Sequence, residues 1–372
     1  MPILGADMEA GVLVAWRCRP GDRVQRGDIV AEVETEKGLI EIEAYTAGVV
    51  ERHLVAPGTK VPVGTALAVI RDEGAPAAQA APATPAAAPA PVPTAPAPAP
   101  AAAPTRPRVS PAARRRAAER GIALDGLTGT GPDGAVTVAD VDRAAGPAAG
   151  AEPSGMRRAI AAAMTRSKRE IPHFYLATTI DLRAAIAWLA TTNATRPVGE
   201  RLLLGVLYVK AVALALREVP DLNAVWEEGR TVRRDAVHVG VAITLRTGGL
   251  VAPALLDADR RPLAELMPAF RDLVSRARAG RLRSSELGAP TITVTSLGDN
   301  GVETVFPVIY PPQVAIVGFG TVVERPWCDG QAIVAAPVVT ATLAADHRVT
   351  DGHRAAVFLA GVGRRLASPE AL

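Results

Sequence analysis

The sequence DHRVTDG occupies residues 346–352 and follows the apolar, β-branched run VVTATL at residues 338–343. This pattern predicts a buried strand that ends in a turn carrying an imidazole, His347, and a carboxylate four residues later, Asp351. An imidazole with an ordinary pKa of about 6.5 can take a proton from a nucleophile near neutral pH. A surface turn with a solvated histidine would give the same pattern, so other parts of the chain are needed to decide between the two.

Length and composition bound the class of protein. At 372 residues the chain is too long for one ordinary hydrophobic core, which predicts two or three domains. Lys and Arg number 41 and Asp and Glu 38, so the net charge of +3 does not favour nucleic acid as a partner. The cysteines, Cys18 and Cys328, lie far apart in sequence and are interpreted as reduced thiols. Neither a signal peptide nor an apolar run of about 18 residues is found, so we expect a cytoplasmic protein with no membrane partner.

Residues 1–74 have the pattern of a small all-β domain. Apolar runs alternate with short turns that contain Pro-Gly or Gly-Asp. The runs are GVLVAW at 11–16, IVAEV at 29–33, GLIEI at 38–42 and GVV at 48–50. Turn signals at this spacing predict a sandwich or a flattened barrel.

The turns of this domain are arranged about a lysine. The sequences PGDRV at 20–24 and PGTKV at 57–61 look like one turn used twice, and ETEKG at 34–38 lies about midway between them. We expect a tight hairpin at 34–38 that presents the amine of Lys37. A lone lysine in a hairpin is most often only a solvated charge.

Residues 75–107 are almost entirely alanine and proline, and residues 145–154 form a second, shorter linker. Repeated proline fixes φ and removes hydrogen-bond donors, so we expect the first linker to be extended and semi-rigid. At about 3.1 Å per residue it spans on the order of 90 Å. That reach suits a carrier arm, although a passive spacer would have the same composition.

Residues 108–144 predict a small helical domain. Ser110 and Pro111 are a typical helix cap and first-turn proline, and a second short helix is expected near Thr137. The loop GTGPDG at 129–134 matches a dinucleotide-binding pattern, but no strand precedes it, so we reject that interpretation. Arg114 and Arg115 contribute to a basic helix face, which is commonly only a solvated face.

Residues 155–372 are long enough for one large α/β domain. Periodicity predicts helices at 156–164, 182–190, 202–217 and 263–279, and strands at 177–181, 237–245, 291–295, 313–319 and 338–343. The strand TITVTS ends in Thr295 and Ser296, whose side chains must point to opposite faces. His173, His238 and His353 show no metal-ligand spacing, so no metal site is expected.

Together these patterns resemble the acyltransferase components of 2-oxo-acid dehydrogenase complexes. DHRxxDG is similar to the signature of that family. The hairpin sequence at 34–38 and the opening MPxLGxxMxxG resemble its lipoyl domains. SPxxRR and the loop GTGPxG resemble its peripheral subunit-binding domain. The resemblance implies a lipoyl domain, a subunit-binding domain and a catalytic domain of the chloramphenicol-acetyltransferase fold. Lipoyl domains usually have Asp-Lys-Ala at the hairpin tip, where this chain has Glu36-Lys37-Gly38. Biotinyl domains, which share the fold, flank their lysine with methionines that are absent here.

The resemblance also implies roles for single residues. Lys37 would carry covalent lipoate, His347 would remove the proton of the coenzyme A thiol, and the Thr295 hydroxyl would donate to the oxyanion. Asp351 would hold the site loop in place, and Arg114 and Arg115 would dock a partner subunit. The implied partners are the 2-oxo-acid decarboxylase and dihydrolipoyl dehydrogenase, with homotrimers that have active sites between subunits and assemble into a larger core.

The acyl group and two rival functions remain open at this point. The sequence IPHFYL at 171–176 looks more like acetyl-transferring members, from pyruvate or acetoin complexes, than succinyl-transferring ones. A branched-chain acyltransferase is the alternative within the family. A carrier with a non-catalytic, scaffolding core and a free-standing small-molecule acetyltransferase are the alternatives from other classes, but the second would leave the carrier and binding domains without a use.

Overall fold

The structure is a computed structural model that describes residues 10–35, 38–71, 109–120, 123–124, 127–144, 155–245 and 249–372. The chain divides into two compact units, one formed by Met1–Ala75 with Ser154–Leu372 and the other by Pro76–Pro153. Both expected linkers, 75–107 and 145–154, lie outside the described residues.

Seven short strands form the N-terminal part of the first unit, in agreement with the predicted all-β domain. They are β1 (Ala10–Trp16), β2 (Arg23–Val24), β3 (Ile29–Thr35), β4 (Gly38–Glu43), β5 (Gly48–His53), β6 (Lys60–Pro62) and β7 (Ala68–Arg71). Strands β4, β3, β1 and β6 form one sheet, and β2, β5 and β7 form another. Alternating side chains of both sheets, including Leu13, Ile40 and Val50, are buried in a common core.

The repeated turn is a real structural repeat. Gly21 and Gly58 both adopt positive φ, at 98° and 83°, which an L side chain rarely adopts. The Gly21 N–H donates to the Val50 carbonyl over 2.7 Å, and the Gly58 N–H donates to the Leu13 carbonyl over 2.7 Å. Each turn therefore ties its strand to a strand distant in sequence.

The second unit contains helices α1 (Pro111–Arg120) and α2 (Val138–Ala144). The Ser110 hydroxyl accepts from the Ala113 N–H over 3.2 Å, as expected of a helix cap. The Asp140 carboxylate accepts hydrogen bonds from the N–H and hydroxyl groups of Thr130 and Thr137, and the Thr130 N–H bond is the main reason that its pKa is lowered. A Cβ at Gly129 would lie 2.4 Å from the Ala135 backbone, so close packing explains this glycine without a bound phosphate.

The C-terminal part of the first unit is an α/β domain. Its helices are α3 (Gly155–Glu170), α4 (Arg183–Ala194), α5 (Leu204–Glu218), α6 (Leu263–Arg278), α7 (Ser284–Gly288) and α8 (Gly352–Ala367). Its strands are β8 (His173–Asp181), β9 (Ala224–Glu227), β10 (Arg230–Arg233), β11 (Val239–Val241), β12 (Ile243–Thr244), β13 (Leu250–Val251), β14 (Ala254–Leu255), β15 (Arg281–Arg283), β16 (Ile292–Ser296), β17 (Ala315–Phe319), β18 (Val323–Asp329) and β19 (Ala332–Asp346). Within the described ranges, no helix combines the length and apolar character needed to cross a membrane.

One mixed sheet organises this domain, in the order β14-β11-β16-β17-β19-β18, with β8 paired to β19. Strands β11, β16 and β17 are parallel, whereas β19 runs antiparallel to β17 and β8. The core cluster joins the sheet to helices α5 and α8 and includes Leu207, Phe319 and Phe358. Because β16 and β19 run in opposite directions, their C-terminal ends lie at opposite ends of the sheet, measured along the strand direction.

Three predicted strands differ from the observed ones. β8 begins at His173 rather than 177, because its first four residues pair with the end of β19. β19 runs from Ala332 to Asp346, since its alanine-rich first half pairs with β18 in a hairpin that alternation alone did not indicate. The predicted strand at 237–245 is two strands, because β11 pairs with β16 whereas β12 pairs with β13.

Candidate active site

His347 lies in the turn between β19 and α8, where the sequence predicted it. Its backbone N–H donates to the Pro172 carbonyl over 3.1 Å, which ties the turn to the start of β8. The imidazole is exposed and packs against the Phe174 ring, with 4.9 Å between ring centroids and 59° between planes. A side chain held on one face and open on the other can exchange a proton with a ligand.

The residues on either side of His347 anchor the turn. Asp346 is fully buried, and its carboxylate accepts from the Arg348 guanidinium at 2.6 and 2.9 Å and from the Arg348 backbone N–H at 2.9 Å. The guanidinium in turn lies 4.2 Å from the Trp226 ring centroid, in cation–π geometry. The sequence patterns did not predict this Asp346–Arg348–Trp226 cluster. An aspartate at the end of an apolar strand with an arginine two residues later is the signal that could have found the ion pair.

Asp351 caps α8. Its carboxylate accepts from the Arg354 backbone N–H over 2.9 Å, and this bond is the first cause that lowers the pKa of Asp351. In the described part of the chain, no hydrogen bond joins Asp351 to His347. The structure thus places Asp351 where it fixes the start of α8, and the imidazole gains its position from the turn itself.

Thr295 and Ser296 end β16 and differ in environment. Thr295 is half-buried, and its hydroxyl makes no hydrogen bond within the described residues. Ser296 is exposed, and its hydroxyl accepts from the Gly298 N–H over 3.4 Å. The two side chains lie on opposite strand faces, as predicted, and among the described residues the Thr295 hydroxyl has no hydrogen-bond partner whereas the Ser296 hydroxyl accepts one bond.

One chain does not bring His347 and Thr295 together. Thr295 lies level with Gly318 on β17, which lies level with Thr342 on β19. His347 is five residues beyond Thr342, which at about 3.3 Å per residue is roughly 17 Å along the strand. The His347 imidazole and the Thr295 hydroxyl therefore lie at opposite ends of the same sheet along the strand direction.

The remaining predicted residues lie elsewhere. Lys37 is outside the described residues, but Thr35 pairs with Gly38 and the Thr35 hydroxyl donates to the Gly38 carbonyl over 3.0 Å. The described residues on either side of residues 36 and 37 are therefore paired with each other. Arg114 and Arg115 are exposed on α1, while Ala113 on the same helix is buried in the core.

Two of the other histidines, His173 and His238, have structural partners. The His173 Nδ1–H donates to the Ile171 carbonyl over 2.9 Å, and Nε2 accepts from the Ile309 N–H over 3.1 Å. Burial is the largest cause that lowers the pKa of His173. The His238 Nδ1 accepts from the Asp257 N–H over 3.0 Å. Among the described residues no group of three metal-ligating side chains occurs.

The fold and the site define a class: a multidomain protein in which an all-β domain is joined to an α/β domain that presents an exposed imidazole, His347, and a half-buried hydroxyl, Thr295. Comparison with known families agrees. Residues 148–372 match the 2-oxoacid dehydrogenases acyltransferase (catalytic domain) family, residues 1–70 the biotin-requiring enzyme family, and residues 107–142 the e3 binding domain.

Individual relatives cover the whole chain. The dihydrolipoyllysine-residue acetyltransferase component of the pyruvate dehydrogenase complex of Rhizobium meliloti is 34% identical over 99% of this chain and 98% of its own length. The lipoamide acyltransferase component of the branched-chain alpha-keto acid dehydrogenase complex of Pseudomonas aeruginosa is 36% identical over 100% of this chain and 98% of its own.

A solved structure, the dihydrolipoamide acetyltransferase of Azotobacter vinelandii, has 29% sequence identity and a TM-score of 0.56 over 58% of this chain and 90% of that chain. A serine, a histidine and an asparagine have roles in the catalytic mechanism of that enzyme, and the three have the same spacing along its chain as Thr295, His347 and Asp351 have here.

The chain belongs to the acyltransferase family of 2-oxo-acid dehydrogenases. The fold class predicted from sequence is confirmed: an all-β lipoyl domain, a small α-helical binding domain and an α/β catalytic domain. The protein is an acyltransferase with covalent lipoate as its cofactor and coenzyme A as its co-substrate.

Proposed function

We propose that this protein transfers an acetyl group from a lipoyl group on Lys37 to coenzyme A, as the core acyltransferase of a 2-oxo-acid dehydrogenase complex. The observation that carries the proposal is that a catalytic domain attached to a lipoyl domain has both an exposed imidazole, His347, and a half-buried hydroxyl without a hydrogen-bond partner among the described residues, Thr295. A purely scaffolding core would have no use for either group in such a state.

In this mechanism, the side chains perform acid–base and electrostatic steps. Lipoate, when bound, supplies the thioester that holds the acyl group. His347 removes the proton of the coenzyme A thiol, because the thiolate is the nucleophile and a free thiol with a pKa near 8.5 is mostly protonated at neutral pH. The Thr295 hydroxyl donates to the oxygen on which charge develops, and the His347 imidazolium returns the proton to the departing sulfur when the original thioester bond breaks. Asp351 holds the start of α8 and thereby the turn, and its position matches the spacing of the asparagine in the Azotobacter vinelandii enzyme.

The separation of the two groups requires an assembly. Because His347 and Thr295 lie roughly 17 Å apart along the strand direction, each must meet its counterpart on another copy of the chain. We propose a homotrimer with three such sites, built into a larger core. The matched e3 binding domain supports dihydrolipoyl dehydrogenase and the 2-oxo-acid decarboxylase as partners, and Arg114 and Arg115 are the proposed docking residues.

The remaining assignments complete the proposal. The domain limits are 1–74 for the lipoyl domain, 108–144 for the binding domain and 155–372 for the catalytic domain, with linkers at 75–107 and 145–154. A cytoplasmic location without nucleic acid or membrane partners stays a prediction from composition. The branched-chain relative makes a branched-chain acyl group the second candidate, and rates with acetyl- and branched-chain acyl-dihydrolipoamide distinguish the two.

The experiment that tests the function compares Lys37→Arg with the unchanged protein. Mass spectrometry should find lipoate on Lys37, and Lys37→Arg should abolish flux through the assembled complex. The same variant should still transfer acyl groups from free dihydrolipoamide to coenzyme A, because carrier and catalyst are separate folds. Normal flux in Lys37→Arg would refute the carrier assignment, and absence of transfer in the unchanged protein would favour a scaffolding core.

A further inference from the structure

The lipoyl domain contacts the catalytic domain through an edge strand. Strand β4, which begins one residue after Lys37, pairs in parallel with β15 of the catalytic domain. The register joins Leu39 to Arg281, Ile40 to Leu282 and Glu41 to Arg283. The Leu39 N–H also donates to the Gly280 carbonyl over 3.1 Å. The edge of the lipoyl sheet is therefore extended by a strand from a different domain, which is the β-augmentation mode of recognition.

Side chains extend the contact beyond the paired strands. The buried Ser284 hydroxyl accepts from the Glu43 N–H over 3.2 Å, and the Glu43 carboxylate accepts from the Ser285 N–H over 3.2 Å. Leu287 packs against the hydrophobic cores of both domains. The backbone, the polar side chains and one apolar residue thus agree on a single orientation of β4.

The catalytic side of this contact is held rigid from within its own domain. Glu286 is buried and accepts from Arg276 in a bidentate pair at 2.5 and 2.7 Å. Its carboxylate also accepts from the Arg283 N–H over 3.0 Å. Leu282 is 1% exposed and belongs to the catalytic core. The segment 280–287 therefore presents a preformed edge, and it presents Arg281 and Arg283 beside a strand that carries Glu41 and Glu43.

We propose that segment 280–287 is a reversible docking surface for the β4 edge of the lipoyl domain, and that docking competes with the visits of Lys37 to the partner enzymes. The second half of this statement rests on the proposed function. Three register pairs, a few hydrogen bonds and one apolar side chain make a small contact, and contacts of that size are weak and transient. The alanine- and proline-rich residues 75–107 supply on the order of 90 Å of chain for the undocked carrier.

Docking restrains the carrier lysine. Consecutive Cα atoms are about 3.8 Å apart, so an anchored Gly38 fixes the starting point of the Lys37 side chain to within that distance. A carrier anchored in this way cannot reach a decarboxylase active site on another subunit. Breaking the contact between β4 and segment 280–287 should release the lipoyl domain. Locking that contact should slow acylation of the lipoyl domain by the decarboxylase.

A disulfide lock tests docking directly. In a Cys328→Ser background, which removes the exposed native thiol, Glu41→Cys and Arg283→Cys place two thiols on paired residues. Paired strands lie about 4.8 Å apart, within the range that a disulfide spans. We expect rapid cross-linking under mild oxidation, and little with the control pair Glu51→Cys and Arg283→Cys, whose first member is exposed on β5. Equal cross-linking of both pairs would overturn the docked state.

Hydrogen exchange in the full chain provides a second measurement. Ser285→Glu adds a carboxylate beside Glu43, and losing the hydrogen bonds of the dock should speed exchange of the Leu39 amide about two- to tenfold. Thr191→Glu, on the exposed face of α4, is the matched control and should leave that amide unchanged. Unchanged exchange of Leu39 in Ser285→Glu would overturn the docked state.

The proposed competition between docking and acylation is measured separately. In the cross-linked protein the decarboxylase should acylate the carrier at least about tenfold more slowly, with recovery on reduction, while transfer from free dihydrolipoamide is unaffected. A cross-linked protein acylated at the normal rate would overturn the competition. If cross-linking and exchange behave as expected but free dihydrolipoamide is not a substrate, the proposed function fails and the docking surface stands.

Discussion

The two ends of the central sheet differ in how they hold a reactive group. At one edge, β19 delivers His347 on a turn fixed by a buried ion pair, an arginine on a tryptophan and a helix cap. At the opposite end of the sheet, the last two residues of β16 include Thr295, whose half-buried hydroxyl has no hydrogen-bond partner among the described residues. A general base on a turn needs other contacts to orient it toward the proton that it removes. A hydroxyl on a regular strand is already oriented by the alternation of side chains along the strand. Under the proposed mechanism, each chain contributes two half-sites, and neither half-site is complete without another chain.

The largest effect is expected at the supported edge. His347→Ala should lower turnover by about 10²- to 10⁴-fold, since a general base is lost. Steady-state acyl transfer from free dihydrolipoamide to coenzyme A is the measurement. Unchanged turnover would mean that the motif is only a surface turn and the catalytic domain a scaffold.

A mixing experiment separates half-sites from a site within one chain. When His347→Ala and Thr295→Ala chains are unfolded together and reassembled, about one site in four should receive both intact groups from adjacent copies. Activity should then recover to about a quarter of the normal value, although each variant alone is inactive. If the mixture stays as inactive as its components, the two groups do not meet between chains.

At the unsupported edge, Thr295→Ala should lower turnover by about 10²- to 10³-fold, the usual result of losing an oxyanion donor. Thr295→Ser keeps the hydroxyl and should retain much of the activity. Ser296→Ala is the matched control on the opposite strand face, where the hydroxyl contacts only the Gly298 N–H, and should be nearly silent. If Ser296→Ala lost most of its activity while Thr295→Ala kept it, the roles assigned to the two strand faces would have to be exchanged.

A smaller effect is expected away from both edges, at the binding domain. Arg114→Ala with Arg115→Ala should weaken binding of the partner subunit about tenfold at low salt, and less as the Debye length falls to about 8 Å at physiological ionic strength. Arg26→Ala with Arg52→Ala, two exposed arginines of the lipoyl domain, is the control. Calorimetry at two salt concentrations measures both pairs. Equal affinity in all forms would make the basic face a solvated surface only.

The smallest effect concerns stability at the edge that carries His347. Burial lowers the pKa of His173, and both ring nitrogens are satisfied only in the neutral form, so the unfolded chain binds a proton more readily. The free energy of unfolding should therefore decrease as pH falls below about 6.5. Melting temperatures at pH 7 and pH 5 should differ less in His173→Gln than in the unchanged protein. His353→Gln, at an exposed histidine, should show the unchanged difference.

The sequence was most informative where local chemistry is decisive. Ser110 capped its helix because a hydroxyl before a proline satisfies a free N–H, and the Gly21 and Gly58 turns formed because only glycine tolerates their positive φ. The dinucleotide interpretation of 129–134 was correctly rejected, since Asp140 closes that loop through two threonines. The first half of β19 was missed because only Ile333 and Val334 in Ala332–Pro337 favour a strand, while its alanines and proline do not, so this half depends on pairing with β18.

The sequence by itself determined the domain order, the two strands on either side of residues 36 and 37, and the two polar exits from the sheet, because turns, caps and alternation act over a few residues. Only the tertiary structure decided that β16 and β19 run in opposite directions, which sets Thr295 and His347 at opposite edges. It also decided that Arg348 contacts both Asp346 and Trp226, and that β15 pairs with β4 at the edge of the lipoyl sheet. Strand order and pairing depend on contacts between residues far apart in the chain, and short-range patterns carry little information about them.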